Sequence, residues 1–358
     1  MTSPPRFHRL VVSDVRRETT DAVSIAFAVP ATLADAYAFD PGHYLTLRAT
    51  LAGEDVRRSY SICSSPSSGE LRIAAKLVED GVFSGFLNAQ TKSGDILDVM
   101  MPTGRFGQGT LRDGQTYAGF AAGSGITPLM SIMTHVLTSE PESRFFLFYG
   151  NRNSDSVLFG EALADLKDSF PDRLALLHVL SREEQDIGGL NGHIDGAKIE
   201  LWLRRVVPAS LIDQAFICGP EAMIVAAEAA LQQAGIAPAR IHTERFVSNL
   251  GGAPRQRAKP AQGAPAAFGA TITADGKTRE IGLSEGETIL DGALRAGIDL
   301  PFACKGGMCS TCRARLVEGE AAMDQNFSLQ DWELAKGFIL TCQAHPASKH
   351  VKVDFDQM

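Results

Sequence analysis

Three of the chain's six cysteines lie within the nine residues CKGGMCSTC, as Cys304, Cys309 and Cys312. A fourth cysteine, Cys342, follows after 29 intervening residues. Thiols this close in sequence indicate a metal site, a disulfide with one thiol to spare, or three of the four ligands of a cluster. A zinc knuckle is usually built from two separated pairs of Cys or His residues.

The spacing of these cysteines separates the alternatives. The pattern Cys-x4-Cys-x2-Cys with a distant fourth cysteine is typical of a plant-type [2Fe–2S] cluster. Gly306 and Gly307 allow a tight backbone path and leave amides free to face sulfur. We therefore predict that Cys304, Cys309, Cys312 and Cys342 hold a [2Fe–2S] cluster, with zinc or unligated buried cysteines as the alternatives.

Length, composition and charge set limits on the class of protein. The chain has 358 residues, 44% hydrophobic and 21% charged, which is typical of a soluble protein with two or three domains. The net charge of −8 argues against nucleic-acid binding.

Residues 114–139 contain no Asp, Glu, Lys or Arg, but their Gly, Pro, Gln and His residues favour a strand, a turn and a buried helix over a membrane span. The N-terminal sequence lacks the apolar core of a signal peptide, so we expect a cytoplasmic protein with reduced cysteines.

A change in composition divides the chain into two regions. Residues 248–267, SNLGGAPRQRAKPAQGAPAA, contain three basic and no acidic residues and are rich in Gly, Ala and Pro, which predicts a linker. In the region after it, residues 268–358, two alternating runs flank Asp275-Gly276 and predict a hairpin. The following ETILDGALRAG has helical spacing. A hairpin, a helix and the cysteine loop outline a small β-grasp domain.

The region before the linker changes character near residue 112. Residues 1–112 contain short alternating runs such as HYLTLRAT and ELRIAAKLV, which predict an antiparallel β-barrel. In residues 113–247, apolar strands such as RFFLFYG alternate with helical segments. This alternation predicts an α/β domain with a parallel sheet. We therefore expect three domains joined in the order barrel, α/β domain and β-grasp domain.

The barrel region contains residues suited to a flavin. Arg58 can neutralise a phosphate, Tyr60 offers a flat face to the ring, and Ser61 can hydrogen-bond near its reactive nitrogen. Gly81 and Ser84 open a short helix whose amides can bind a pyrophosphate. The run Arg-Ser-Tyr-Ser resembles the Arg-x-Tyr-Ser signature of the ferredoxin–NADP reductase superfamily, and the Gly-Ser helix start favours FAD over FMN. In the preceding PGHYLTL, His43 stands where this superfamily commonly has Gln.

The α/β region contains two motifs for a nicotinamide nucleotide. In GSGITP, Gly123, Gly125 and Thr127 lie between a strand and a helix, where the backbone can approach a pyrophosphate. The run is similar to the pyridine-nucleotide domain of the same superfamily. Cys218 and Gly219 resemble its Cys-Gly-Pro motif, which implies that Cys218 lies beside the nicotinamide and acts by positioning, without covalent chemistry. With Ser61, it is the predicted catalytic pair; an ordinary core cysteine is the alternative.

A third segment, LSREEQ, concerns the choice between NADPH and NADH. Ser181 and Arg182 resemble the superfamily's segment for the 2′-phosphate of NADPH, whereas Glu183 and Glu184 weaken the local positive charge. We expect NADPH, with NADH possible and a solvated surface loop as the alternative. Arg152, in YGNRN, could also reach the adenosine end of the nucleotide. The resemblance further implies that Glu244 or Phe246, in HTERF, lies near the flavin.

The order of domains resembles that of reductase components of multicomponent oxygenases. The run PFACKGGMCSTCRARLVEGE is most similar to the reductase subunits of bacterial phenylacetyl-CoA epoxidases, which are di-iron monooxygenases. The resemblance implies electron transfer from NADPH through FAD and a [2Fe–2S] cluster to an oxygenase component. Alternatives are a reductase serving a Rieske-type oxygenase or ketosteroid hydroxylase, a binding module with a zinc-stabilised tail, and a redox sensor without turnover.

Overall fold

The computed structural model of the protein describes residues 6–246 and 266–357. The described residues form two compact units, one of residues 9–56 and 60–246, and one of residues 266–357 with the short pieces 6–8 and 57–59. Positions 248–265 of the predicted linker lie outside the described residues. The domain boundaries expected at residues 112 and 247 stay predictions.

The first part of the chain forms a six-stranded antiparallel sheet with the strand order β4-β3-β6-β1-β2-β5. Its strands are β1 Phe7–Thr19, β2 Ala22–Ala28, β3 Tyr44–Leu51, β4 Glu54–Ser61, β5 Leu71–Lys76 and β6 Ile96–Met100. A bridge between Ile62 and Ile73 joins the two edge strands and closes the sheet into the expected barrel. Helix α1, Val82–Ala89, follows β5 and buries Phe83 and Leu87 in the barrel core.

The next part of the chain forms a five-stranded parallel sheet with the order β11-β10-β7-β8-β9. Its strands are β7 Thr116–Ala122, β8 Arg144–Asn151, β9 Leu174–Leu180, β10 Gln214–Cys218 and β11 Ile241–Glu244. The chain runs outward from β7 to β9, then returns to place β10 on the other side of β7. This reversal creates a switch point, and ligands of open α/β sheets bind at the carboxyl ends of the strands there.

Helices cover both faces of the parallel sheet. They are α2 Ile126–Ser139, α3 Gly160–Ser169, α4 Gly196–Arg205 and α5 Glu221–Gln233. Helices α2 and α3 pack in one hydrophobic cluster, and α4 and α5 pack in another, where Trp202 stacks on Phe148. Helix α4, which was not predicted from the sequence, begins where the Asp195 side chain accepts a hydrogen bond from the Lys198 amide.

The uncharged stretch 114–139 forms strand β7 and helix α2. Both elements lie in the parallel-sheet region, and the helix buries ten of its residues. Within the described residues, no helix combines the length and apolar character needed to span a membrane.

The C-terminal part forms a five-stranded sheet with the order β13-β12-β18-β14-β16 and a separate two-stranded ribbon of β15 and β17. The strands are β12 Phe268–Ala274, β13 Lys277–Leu283, β14 Arg313–Glu318, β15 Ala321–Met323, β16 Phe338–Leu340, β17 Ala344–Pro346 and β18 His350–Asp354. The helices are α6 Ile289–Arg295 and α7 Asp331–Ala335. Strands β12 and β13 form the hairpin predicted around Asp275-Gly276, and β12 pairs in parallel with β18, as expected for a β-grasp domain.

Candidate functional site: two convergent loops and a cysteine centre

The two predicted nicotinamide motifs meet at the switch point of the parallel sheet. Cys218, the last residue of β10, lies opposite Ala121 of β7 and opposite Glu244 of β11. The backbones of the two loops are in direct contact, because a Cβ atom placed on Gly125 would lie 2.0 Å from the carbonyl oxygen of Cys218. Only glycine permits this approach, so Gly125 is required for packing of the loops against each other.

Gly123 contributes to the same site by its backbone conformation. Its φ of +54° lies in the left-handed region that favours glycine. The hydroxyl of Tyr149, at the end of β8, donates a hydrogen bond of 3.0 Å to the Gly123 carbonyl. Thr127 is buried, and its hydroxyl donates to the Ser124 carbonyl within its own turn. The loop is therefore held in shape before any nucleotide binds.

Ser61 and Glu244 come together from residues 183 positions apart in sequence. Ser61 ends strand β4 of the barrel, Glu244 ends β11 of the parallel sheet, and both lie in the same compact unit. The Ser61 hydroxyl donates a hydrogen bond of 2.9 Å to the Glu244 carboxyl. This contact places the predicted flavin-binding serine next to the strand end that neighbours Cys218.

Burial controls the protonation of Glu244 and Cys218. Burial raises the pKa of the Glu244 carboxyl from 4.5 to about 7, although the hydrogen bond from Ser61 opposes this shift. Burial, with the nearby Glu244 charge, raises the pKa of the Cys218 thiol well above its usual range. Cys218 is therefore a neutral thiol at neutral pH, which agrees with a positioning role and not with a nucleophile.

We expect the replacement Glu244→Gln to change how stability depends on pH. Between pH 4.5 and about 7 the unfolded carboxyl is ionised while the folded one stays protonated, so the wild-type protein loses stability as pH rises. The shift corresponds to a loss of about 3 kcal/mol across this window. Because Gln has no ionisable group, the variant should not show this loss of stability between pH 4.5 and about 7.

Thermal unfolding of the wild type and the variant at pH 5 and pH 8 measures the effect. The variant's unfolding temperature should rise relative to that of the wild type as the pH increases. The exposed Glu161, replaced by Gln, is the matched control and should show no such trend. Parallel pH profiles for Glu244→Gln and the wild type would contradict the pKa assignment.

The residues predicted to hold the flavin lie on strand β4 and beside it. Arg58 is exposed on β4, and its guanidinium donates a hydrogen bond to the adjacent Arg57 carbonyl at 2.8 Å. Tyr60 is half-buried, with its ring 6.1 Å from the ring of Phe83. His43 lies alongside, because its carbonyl accepts a hydrogen bond from the Ile62 amide, and burial lowers the pKa of its imidazole.

An open cleft of about 680 Å³ lies at the start of helix α1 and is lined by Asp21, residues 77–82, Gly85, Phe86, Ala89 and Gln90. Gly81 caps the helix without a side-chain hydrogen bond, so the amides of the first turn have no side-chain cap. The buried Ser84 hydroxyl donates to the Gly81 carbonyl and accepts from the Val78 amide, so it shapes this turn from within. Uncapped amides at a helix start are suited to an anion, whereas the carboxyl groups of Asp21, Glu79 and Asp80 also line this cleft.

The LSREEQ segment begins at the last residue of strand β9 and continues beside the end of β8. The amides of Ser181 and Arg182 donate hydrogen bonds to the Asn151 and Arg152 carbonyls at 3.0 and 2.7 Å. The Glu183 carboxylate accepts hydrogen bonds from the Ser154 amide and hydroxyl, and these bonds lower its pKa. Arg152 forms an ion pair of 3.3 Å with Asp21.

The four predicted ligand cysteines converge in the C-terminal unit as two pairs. Cys309 donates a hydrogen bond to the Cys304 sulfur, which lowers the pKa of Cys304 to about 6, helped by backbone amides such as that of Gly306, 3.3 Å away. Cys312 donates in the same way to Cys342 and lowers its pKa. In both pairs the donor thiol's pKa is raised.

This paired arrangement fits a two-iron cluster. In a [2Fe–2S] centre with four cysteine ligands, each iron takes two of them, whereas structural zinc gathers four ligands around one ion. All four thiols are free of disulfides. The two thiol pairs agree with the predicted cluster.

Several residues of these sites were not predicted from the sequence. Tyr149 supports Gly123, the Ser131 hydroxyl donates to the Ser64 carbonyl at 2.6 Å, and the side chain of Gln343 reaches the cysteine loop. Tyr149 and Ser131 lie far in sequence from their partners, so no local pattern indicates them. Gln343 had a signal, because it is a polar residue directly after the ligand Cys342.

Three family models together match most of the chain. The oxidoreductase FAD-binding domain matches residues 9–107, and the oxidoreductase NAD-binding domain matches residues 120–229. The 2Fe-2S iron-sulfur cluster binding domain matches residues 272–347. The chain therefore contains binding domains for FAD, a pyridine nucleotide and a [2Fe–2S] cluster, in the order predicted from the sequence.

Relatives of similar length have the same organisation. The chain is 47% identical over 352 residues to a component of the 1,2-phenylacetyl-CoA epoxidase of Escherichia coli K12, covering 98% of each chain. It is 34% identical over 353 residues to the ferredoxin reductase component of the 3-ketosteroid-9-alpha-monooxygenase of Rhodococcus rhodochrous, covering 97% of this chain and 96% of that one.

A solved structure with the same fold is that of phthalate dioxygenase reductase, described as a modular structure for electron transfer from pyridine nucleotides to [2Fe–2S]. It superposes with a TM-score of 0.59 at 22% identity and covers 98% of both chains. The fold, the convergent site and the full-length similarity agree: the chain belongs to the family of oxygenase reductases with FAD-binding, NAD-binding and [2Fe–2S] ferredoxin domains that includes this component of the 1,2-phenylacetyl-CoA epoxidase.

Proposed function

We propose that this chain takes reducing equivalents from NADPH and delivers them as single electrons to the oxygenase component of a phenylacetyl-CoA epoxidase. The observation that carries the proposal is the 47% identity to the epoxidase component of Escherichia coli, which extends through 98% of both chains. The similarity is not confined to the cofactor motifs but extends along the whole chain.

The cofactors supply the redox chemistry, since FAD takes two electrons from the nicotinamide as a hydride and the cluster carries electrons singly. The chain's own residues position the reactants. The close contact of Gly125 with Cys218 at the ends of their strands supports a nicotinamide site there. The hydrogen-bonded pair of Ser61 and Glu244 stands at the neighbouring strand end. A carboxyl with a pKa of about 7 exchanges a proton readily at neutral pH, and the Ser61 hydroxyl is its hydrogen-bond partner.

The preference for NADPH rests on the charge of the LSREEQ segment. Arg182 is exposed, and an exposed guanidinium is suited to a bidentate contact with the 2′-phosphate. Glu183 would oppose an incoming phosphate, but its carboxylate is turned to the amide and hydroxyl of Ser154. The exposed Arg182 therefore supports a contact with the 2′-phosphate, although the exposed Glu184 still weakens the positive charge beside it.

We expect Arg182→Gln to raise the KM for NADPH about tenfold while changing that for NADH little. A charge-assisted hydrogen bond contributes about 1.5–3 kcal/mol, and 1.4 kcal/mol corresponds to a factor of ten. Steady-state reduction of an artificial acceptor with each nucleotide measures both constants. The exposed Arg205, at the end of α4, provides the control replacement Arg205→Gln. If Arg182→Gln changed the KM values for NADPH and NADH equally, Arg182 would not bind the 2′-phosphate.

Reconstitution tests the proposed partner. The purified holoprotein, NADPH, phenylacetyl-CoA and the epoxidase oxygenase component should give epoxide with matching consumption of NADPH and O₂. The relatives also include 3-ketosteroid-9-alpha-monooxygenase reductases at 34% identity, so a ketosteroid oxygenase component is the second candidate. If coupled turnover is faster with that component, or with a Rieske-type ring hydroxylase, the faster component is the partner and the epoxidase assignment is wrong.

The proposal includes a cytoplasmic location. The four ligand thiols must stay reduced until the cluster assembles, and the cytosol keeps thiols reduced. The acyl-CoA substrate of the proposed partner belongs to the same compartment. Fractionation of cells that express the tagged full chain tests this, and recovery of the protein outside the cytosol would contradict it.

A further inference from the structure

Gln343 follows the ligand Cys342 directly and is only 7% exposed. Its side-chain amide nitrogen lies 2.8 Å from the Lys305 carbonyl oxygen and 3.0 Å from the Cys342 carbonyl oxygen. The same nitrogen lies 3.6 Å from the Cys342 sulfur. One buried amide therefore connects the loop that carries three ligands to the segment that carries the fourth.

The residue at the other end of this connection has an unusual backbone. Lys305 has a φ of +49°, a left-handed conformation that is disfavoured for a residue with a side chain. The amide of the next residue, Gly306, donates to the Cys304 sulfur at 3.3 Å. The turn at Lys305 directs this amide at sulfur, and the hydrogen bond from Gln343 to the Lys305 carbonyl holds the turn in place.

The methylene part of Gln343 supports the same loop. A Cβ atom placed on Gly307 would lie 3.4 Å from the Gln343 Cγ atom, in close contact. Gln343 thus hydrogen-bonds to the ligand loop through its amide and packs against it through its methylene groups. Buried polar groups of this kind are costly unless their hydrogen bonds are made, and here both carbonyls accept from the amide.

We propose that Gln343 is a positioning residue of the [2Fe–2S] cluster that raises its reduction potential and slows its loss. Hydrogen bonds to the ligand sulfurs are among the features that set the potential of such clusters, because they stabilise the more negative, reduced state. Gln343 acts in two ways. The N–H that it directs at the Cys342 carbonyl is shared with the Cys342 sulfur, 3.6 Å away. The other N–H holds Lys305 so that the Gly306 amide reaches the Cys304 sulfur. This inference rests on one part of the proposed function, the presence of the [2Fe–2S] cluster, and it does not depend on the partner.

The replacements Gln343→Met and Gln343→Glu test the inference in the full-length holoprotein. Met keeps the length of the side chain and removes the donor. Glu keeps the shape, removes the donor and adds a negative charge. We expect the one-electron equilibrium constant for reducing the cluster to fall about tenfold in Gln343→Met, which is a potential lower by about 59 mV, and further in Gln343→Glu. Cluster bleaching by an iron chelator should become several-fold faster in both.

The exposed Gln325, in the segment next to the cysteine loop, is the matched control as Gln325→Met. An unchanged potential and bleaching rate in Gln343→Met, or equal changes in the control, would overturn the inference. If Gln343→Met assembles no cluster, Gln343→Asn replaces it. This variant keeps an amide that is too short to reach Lys305, and an unchanged potential at full iron and sulfide content would overturn the inference. Because the potential is read without an oxygenase, a wrong partner assignment leaves this result unaffected.

Discussion

Replacement of Cys309 by serine is expected to abolish electron delivery through the cluster while leaving reduction of the flavin by NADPH intact. Cys309 lies in a hydrogen-bonded pair with Cys304, and the two thiols fit the two ligand positions of one iron. A serine hydroxyl is a poor substitute for a soft thiolate ligand. The loss should therefore be close to complete for any acceptor that takes its electrons from the cluster.

Two measurements on the purified Cys309→Ser protein check this expectation. Iron and acid-labile sulfide should fall to a small fraction of the wild-type content, and a small acceptor that reacts directly with the flavin should still be reduced at the wild-type rate. Cys63→Ala is the control. Cys63 is a buried free cysteine whose thiol donates a hydrogen bond to the Arg72 carbonyl. Full iron and sulfide content in Cys309→Ser would remove Cys309 from the ligand set.

A single methyl group at Gly125 is expected to slow the reduction of the flavin by NADPH about a hundredfold. The added Cβ atom would lie 2.0 Å from the carbonyl oxygen and 2.5 Å from the carbonyl carbon of Cys218. Both are backbone atoms that no side-chain rotation can move away. The two loops must separate, and a displacement of about 1 Å in a reacting group costs about a hundredfold in rate.

Stopped-flow measurement of flavin reduction in Gly125→Ala tests the effect separately from later steps. The flavin content should stay at the wild-type level, because the cleft at helix α1 lies in the barrel. Gly160→Ala is the matched control, since a Cβ atom at Gly160 meets only a Val157 methyl at 3.9 Å. A wild-type rate of flavin reduction in Gly125→Ala would mean that the contact between the loops does not form the nicotinamide site.

Local sequence patterns were sufficient for most elements of secondary structure. The Asp275-Gly276 turn and its alternating flanks predicted the β12–β13 hairpin, because turn chemistry and the two-residue period of strands act over neighbouring residues. The strand, glycine loop and helix around residues 117–139 were found for the same reason. Helix α4 was missed because its short amphipathic pattern carries little signal without the sheet that it covers.

The sequence by itself indicated domains for FAD, a pyridine nucleotide and a [2Fe–2S] cluster, and the matching family models confirm them. Cluster ligation depends on cysteine spacing within a loop, and the Arg58-Tyr60-Ser61 and Gly123-Gly125 motifs are local too, so a linear pattern is enough to identify them. Only the tertiary structure decided which groups act on each other. Ser61 meets Glu244, Gly125 meets Cys218, and Gln343 reaches Lys305 across 38 positions in the chain. These pairs depend on strand order and loop packing, and the pKa of Glu244 depends on burial, a property of the folded protein that no local pattern contains.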